Sequence, residues 1–131
     1  MLYLDSSALV KLVASEPESA RLFAFLAGRA ELVSSALSRV EVMRAVHRLD
    51  DAGELRARAE SVLGSVALLR IDDAILTAAA ALEPRTLRSL DALHLASALS
   101  VRNALEGFLA YDQGLAEAAR RQGLKVRAPG S

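Results

Sequence analysis

Four acids in this 131-residue chain occupy places where chemistry is done. Asp5 and Asp112 each end a short apolar run, Met1-Leu2-Tyr3-Leu4 and Gly107-Phe108-Leu109-Ala110-Tyr111, Glu41 lies in an amphipathic helical stretch, and Asp91 opens a late one. If they share a crevice, their mutual repulsion would raise their pKa values or demand a cation. A hard divalent ion with oxygen ligands, Mg²⁺ or Mn²⁺, answers that demand and keeps waters of its own. Such an ion can activate a water and neutralise charge building on a phosphate oxygen, so the acids point to phosphodiester chemistry more than to peptide hydrolysis.

Each acid also has a plainer reading. Asp112 and Asp5 could cap the helices that follow them, and Asp91 could complement a helix dipole behind a Ser89 cap. Glu41, with Arg44 and Arg48 following it, could belong to a solvated ion-pair face. His94 stands one turn after Asp91, where an extra ligand could stand, but a single helical histidine is more often packed or exposed. His47 has no acid or histidine partner at ligand spacing.

Elements able to position these acids follow from the apolar pattern. Strands are expected at the first four residues, 31–35, 65–71, 107–112 and 124–127, each but the last leading into a helical stretch. A helix over 16–27 starts with Pro17 in its first turn and stops at Gly28. The clearest amphipathic helix carries Leu37, Val40, Met43, Val46 and Leu49 at three-residue steps and ends near Asp51-Ala52-Gly53. Asp72-Asp73 could cap a helix running to Leu82, which Glu83-Pro84 breaks. A further helix begins about Ser89. Strands separated by helices imply parallel βα units with right-handed crossovers. The expected fold is one α/β domain over 1–131, a three-layer α/β/α arrangement on a central parallel sheet of four or five strands, with 128–131 a frayed tail. If the first and fourth strands are neighbours, Asp5 and Asp112 flank the crevice where sheet growth reverses direction.

Bulk composition narrows the classes. The chain is 53% hydrophobic but only 4% aromatic, so its core must be aliphatic. Cysteine is absent, which removes disulfide, thiolate-zinc and cysteine-nucleophile chemistry. Asp5 interrupts what would have to be a signal's apolar region, and no stretch reaches the length of a membrane span, so a soluble cytoplasmic protein is expected. Sixteen basic residues balance 16 acidic ones, and net charge neither recommends nor excludes a nucleic-acid partner.

Four segments carry a resemblance: Leu4-Asp5-Ser6-Ser7-Ala8-Leu9, Ser38-Arg39-Val40-Glu41-Val42-Met43-Arg44-Ala45, Leu90-Asp91-Ala92-Leu93-His94-Leu95-Ala96 and Tyr111-Asp112-Gln113-Gly114-Leu115. In this order they resemble the PIN-domain ribonucleases, and among them the VapC-type toxins of bacterial toxin-antitoxin pairs, over nearly the whole chain. The resemblance implies an acidic site of Asp5, Glu41, Asp91 and Asp112 that works with Mg²⁺ or Mn²⁺. Asp5, Asp91 and Asp112 would hold the metal, Asp5 and Asp91 most directly, and Ser6 would hydrogen-bond within the site. It also implies an RNA substrate, a small antitoxin as partner and a homodimer. Arg39, Arg44, Arg85 and Arg88 lie near the acids in sequence and are the first candidates for RNA contacts. One departure stands out: Ala110 occupies a place where many relatives carry Thr or Ser, which puts a hydroxyl contact near Asp112 in doubt.

Rival functions are weaker. A two-component receiver needs an acid pair after its first strand and a Lys just after its fifth, whereas Asp72-Asp73 follows the third strand and Lys125 lies inside the last. A haloacid-dehalogenase-type phosphatase needs a second Asp two residues after Asp5, where Ser7 stands. A non-catalytic PIN module that binds RNA or protein, and a PIN nuclease of RNA processing without an antitoxin, remain the alternatives.

Overall fold

In the computed structural model, which describes residues 1–29, 31–49 and 53–131, five short parallel strands form one sheet. They are β1 (Leu2–Leu4), β2 (Leu32–Ser35), β3 (Ala67–Leu69), β4 (Gly107–Leu109) and β5 (Val126–Arg127), in the spatial order β3-β2-β1-β4-β5. The helices are α1 (Ser6–Val13), α2 (Ser19–Leu26), α3 (Ser38–Leu49), α4 (Glu54–Gly64), α5 (Asp73–Ala80), α6 (Ser89–Ser100) and α7 (Gln113–Arg121), with a 3₁₀ turn at Arg102–Ala104. No helix among the described residues is long and apolar enough to cross a membrane.

The sheet grows from β1 through β2 to β3 and then, with β4, on the other side of β1. β1 therefore pairs with both β2 and β4, in the register Tyr3 with Val33 and Tyr3 with Phe108. The switch point lies between β1 and β4, and the chain leaves those strands through Asp5 and Asp112. This is the neighbour relation the sequence required for the two acids to flank one crevice.

All three residues of β1 and of β4 are buried, as strands covered on both faces must be. Alternate residues serve two apolar layers. Leu2, Leu4 and Leu109 pack with Leu9, Val13, Leu22, Val42 and Val46. Tyr3 and Phe108 pack with Val33, Leu95, Leu115 and Ala118. Helices thus cover both sides of the sheet, in the three layers expected.

Several expectations shift. The strands expected over 65–71, 107–112 and 124–127 contract to β3, β4 and β5. In α3 the buried positions are Ser38, Val42 and Val46, whereas Val40 is 60% and Leu49 61% exposed. Three residues advance a helix by only about 300°, so a run of three-residue steps drifts round the surface, while four-residue steps hold one face better. The expected end of that helix at Asp51-Ala52 lies outside the described residues. Residues 128–131, expected to fray, instead form a turn in which the Ser131 amide donates to the Ala128 carbonyl and the Tyr111 hydroxyl to the Pro129 carbonyl. Gly28 follows the end of α2 with φ of +77°, a left-handed conformation that a side chain would strain.

Candidate active site

Asp5 caps a helix at the mouth of the crevice between β1 and β4. Its Oδ1 accepts hydrogen bonds from the Ala8 amide (2.9 Å) and the Ser7 hydroxyl (2.7 Å), which starts α1 directly beyond β1. The residue is only 5% exposed. Both bonds fall on Oδ1, and no buried side-chain oxygen among the described residues lacks a partner, so Oδ2 opens to solvent at the crevice. Burial pushes the Asp5 carboxyl above its ordinary pKa; the two hydrogen bonds and His94 oppose the rise, and the Asp91 charge adds to it.

Asp91 lies in the first turn of α6. Burial again raises its carboxyl, followed by the charge of Asp112; Glu41 adds to the rise, and His94 and Arg88 oppose it. The expected Ser89 cap is not made: Arg88 holds the N-cap position without a side-chain bond. Asp112, more exposed, caps α7 through Oδ2, which accepts from the Leu115 amide at 2.9 Å. The fold thus brings Asp91 within electrostatic reach of both Asp5 and Asp112. Ala110 faces away from them into the apolar layer with Leu95, Leu115 and Ala118.

Glu41 points inward from α3 rather than toward Arg44 or Arg48. Its Oε1 receives the Ser6 hydroxyl in a very short hydrogen bond and the His94 Nε2–H at 2.7 Å. Burial on its own would raise the Glu41 carboxyl; the bonds from His94 and Ser6 outweigh it and hold the group below its ordinary value, ionised. His94, expected at most as a stray ligand, is 2% exposed and makes its other ring contact with the buried Tyr3 hydroxyl at 2.8 Å. Below it the Ser34 hydroxyl donates to the Leu4 carbonyl, and Ser38 donates to Ser34 at 2.8 Å. Tyr3, Ser34, Ser38 and His94 are the site's supports that sequence reasoning missed. Polar residues at buried strand and helix positions were the available signal.

The four arginines separate. Arg88 is electrostatically coupled to Asp91. Arg85 lines a cavity between α5 and the start of α6 with Leu82, Leu87 and Ala92. Arg39 and Arg44 line grooves over α3 and α4 with Val40 and Met43, and none of the four acids lines either groove.

The donor set fits a hard cation. Among the described residues no three His, Cys, Asp or Glu side chains close around one point as a cage would. Mg²⁺ does not need a cage, since it is ordinarily held by one or two carboxylates and its own waters. An open Asp5 Oδ2 and a crowded Asp91, both destabilised as anions by burial and like charge, suit that mode.

The same shifts predict a pH-dependent stability without metal. Asp5 and Asp91 have folded pKa values above their unfolded ones, so their contribution is fully present below the unfolded Asp value of about 3.9 and is lost as pH rises through the raised values. Glu41 has the opposite sign, and its contribution is lost as pH falls through its lowered value. In EDTA, the difference in melting temperature between Asp91→Asn and wild type should therefore grow in favour of the variant from pH 4 to pH 7. A difference that shrinks over that range would contradict the assignment.

The PIN domain family model matches residues 2–121, and the chain belongs to that family. It is 44% identical over 128 residues to the protein named Ribonuclease VapC46 of Mycobacterium tuberculosis, covering 98% of this chain and 97% of the relative. Among solved structures, that of Mycobacterium tuberculosis VapC20, described as a sarcin-ricin-loop-cleaving toxin, matches with a TM-score of 0.74 at 15% identity, covering 98% and 100% of the two chains. A chain of a toxin-antitoxin complex from Klebsiella pneumoniae matches with a TM-score of 0.68 at 21% identity, covering 86% and 87%. At these identities the structural matches speak for the shared fold.

Proposed function

We propose that the protein is a metal-dependent endoribonuclease and the toxin of a type II toxin-antitoxin pair. The observation that carries the reading is the buried Asp5 at the switch point, its carboxylate raised by burial and by Asp91. Full-length similarity to a protein named as a ribonuclease supports the reaction class. Asp5 and Asp91, with Asp112 beside them, would hold Mg²⁺ or Mn²⁺. That ion, when bound, would act as a Lewis acid toward a phosphate oxygen and an attacking water. The chain's own part is to keep Glu41 ionised and oriented through Ser6 and His94, and to hold the α1 and α7 caps that aim Asp5 and Asp112. Arg88, nearest the acids electrostatically, is the first RNA-contact candidate, ahead of Arg85, Arg39 and Arg44.

An antitoxin partner belongs to the same reading, supported by the toxin-antitoxin complex that shares the fold. A cytoplasmic place, where such an RNA substrate resides, and a homodimer complete it. The test is cleavage-site mapping on total RNA after expression of the wild type beside Asp5→Asn. Discrete cuts are expected from the wild type alone; with purified protein they should require Mg²⁺ or Mn²⁺ and stop with EDTA. Equal cutting by Asp5→Asn, or in EDTA, would sink the proposal.

A further inference from the structure

The acids leave one buried polar chain unexplained, Tyr3–His94–Glu41, which runs from the centre of the sheet to the edge of the crevice. Its proton inventory is almost fully determined. Glu41, ionised, can only accept. His94 Nε2 must therefore carry a proton, whether the ring is neutral or charged, and that proton points at Glu41 Oε1 (2.7 Å) with Ser6 Oγ at 3.0 Å alongside. Ser34 gives its proton to the Leu4 carbonyl, Ser38 gives its own to Ser34, and Ser6 gives its own to Glu41. The Ser6–Ser38 approach of 3.3 Å is then left without a proton, so His94 and Ser6 are the donors that fix Glu41.

The far end is equally constrained. Tyr3 is fully buried, stacked on Phe108 at 5.2 Å between centroids and 11° between planes, and edge-on to the His94 ring at 5.9 Å. Its hydroxyl meets His94 Nδ1, so the imidazole is held at both nitrogens and has no freedom to rotate. Both donors to Glu41 fall on Oε1, and Oε2 is left as the oxygen available to the crevice.

We propose that His94, braced by Tyr3, is a positioning residue that locks Glu41 through Oε1 and thereby presents Oε2 to the reacting groups. This rests on the ribonuclease reading above. Groups that orient metal ligands from behind typically affect metal affinity or activity by about 10–100-fold, and an effect of that order is expected for a group that orients Glu41. His94→Asn and His94→Gln separate positioning from packing. Both keep a polar amide of intermediate size, but only the longer Gln can place an N–H where Nε2 stands.

His94→Asn should lower kcat for RNA cleavage by about 10–100-fold with KM changed less than about threefold, and His94→Gln should recover most of the loss. Tyr3→Phe, which keeps the stacked ring, should give an intermediate loss. Without metal or RNA, the long-range ¹H–¹⁵N spectrum of the wild-type imidazole should show a proton on Nε2 that exchanges slowly with water and exchanges faster in Glu41→Ala. Equal kcat for His94→Asn and His94→Gln, or an Nε2 proton indifferent to Glu41→Ala, would overturn the positioning role alone. A wild type that cuts no RNA with any divalent ion while the imidazole signature holds would overturn the ribonuclease reading, and the part of His94 in the reaction with it.

Discussion

Asp5→Asn is expected to lose RNA cleavage by more than 100-fold while folding at least as stably as the wild type at neutral pH. The activity loss should exceed the ~10–100-fold typical of a group that merely orients a metal ligand, because Asp5 would hold the metal itself. Stability is decided separately. The cap on α1 needs only an acceptor at Oδ1 for the Ala8 amide and the Ser7 hydroxyl, and the Asn side-chain oxygen supplies one. What Asn removes is a carboxylate whose ionisation is opposed by burial and by Asp91. Melting curves with and without Mg²⁺ complete the test. An ion bound to the native state at a hundred times its Kd stabilises by about 2.7 kcal/mol, so the wild type should melt higher in saturating Mg²⁺ and Asp5→Asn should respond far less. An equal Mg²⁺ response in both proteins would place the cation elsewhere.

The place of Asp5 between a strand and a helix explains why the sequence singled it out but underdescribed its surroundings. An acid between an apolar strand and an apolar helix is visible because strand ends and caps are local events, and β1, β4 and their acids followed from short-range pattern. Strand order was legible only as a condition, that β1 and β4 be neighbours, because pairing is a long-range event without a local signature. The support beneath Glu41 left only a weak trace, polar residues at positions that pattern alone would make apolar, for the same reason. Tyr3 looks like any strand aromatic and His94 like any helical histidine until the fold brings positions 91 residues apart to 2.8 Å. Periodicity misled where it was counted in threes: Val40 and Leu49 look like core residues and are surface. The likeness to a family could name the four acids but not the atoms that aim one of them.

Phe108→Ala is expected to cost about 3–5 kcal/mol, the range for deleting a buried aromatic ring. Phe108 is fully buried on a strand paired on both sides, to β1 and to β5, so its backbone cannot retreat to close the space. Its neighbours can fill it only in part, since the buried residues of this layer include Ala98, Ala110, Ala118 and Ala119, whose side chains have no rotamers to swing inward. The loss includes the stacking partner of Tyr3. For a domain of this size the cost should lower the melting temperature by about 10–20 °C, a large share of the ~5–15 kcal/mol that holds a typical domain together. Phe23→Ala is the matched control: the same atoms leave a side chain 49% exposed on α2, and the change should stay near ~0.5 kcal/mol. Phe108→Leu, which keeps much of the volume but loses the flat ring face, should fold well yet let Tyr3 tilt. Its kcat should then fall toward that of Tyr3→Phe at temperatures well below melting. Wild-type kcat in Phe108→Leu would mean that the sheet alone fixes Tyr3 and that the aromatic stack serves stability only.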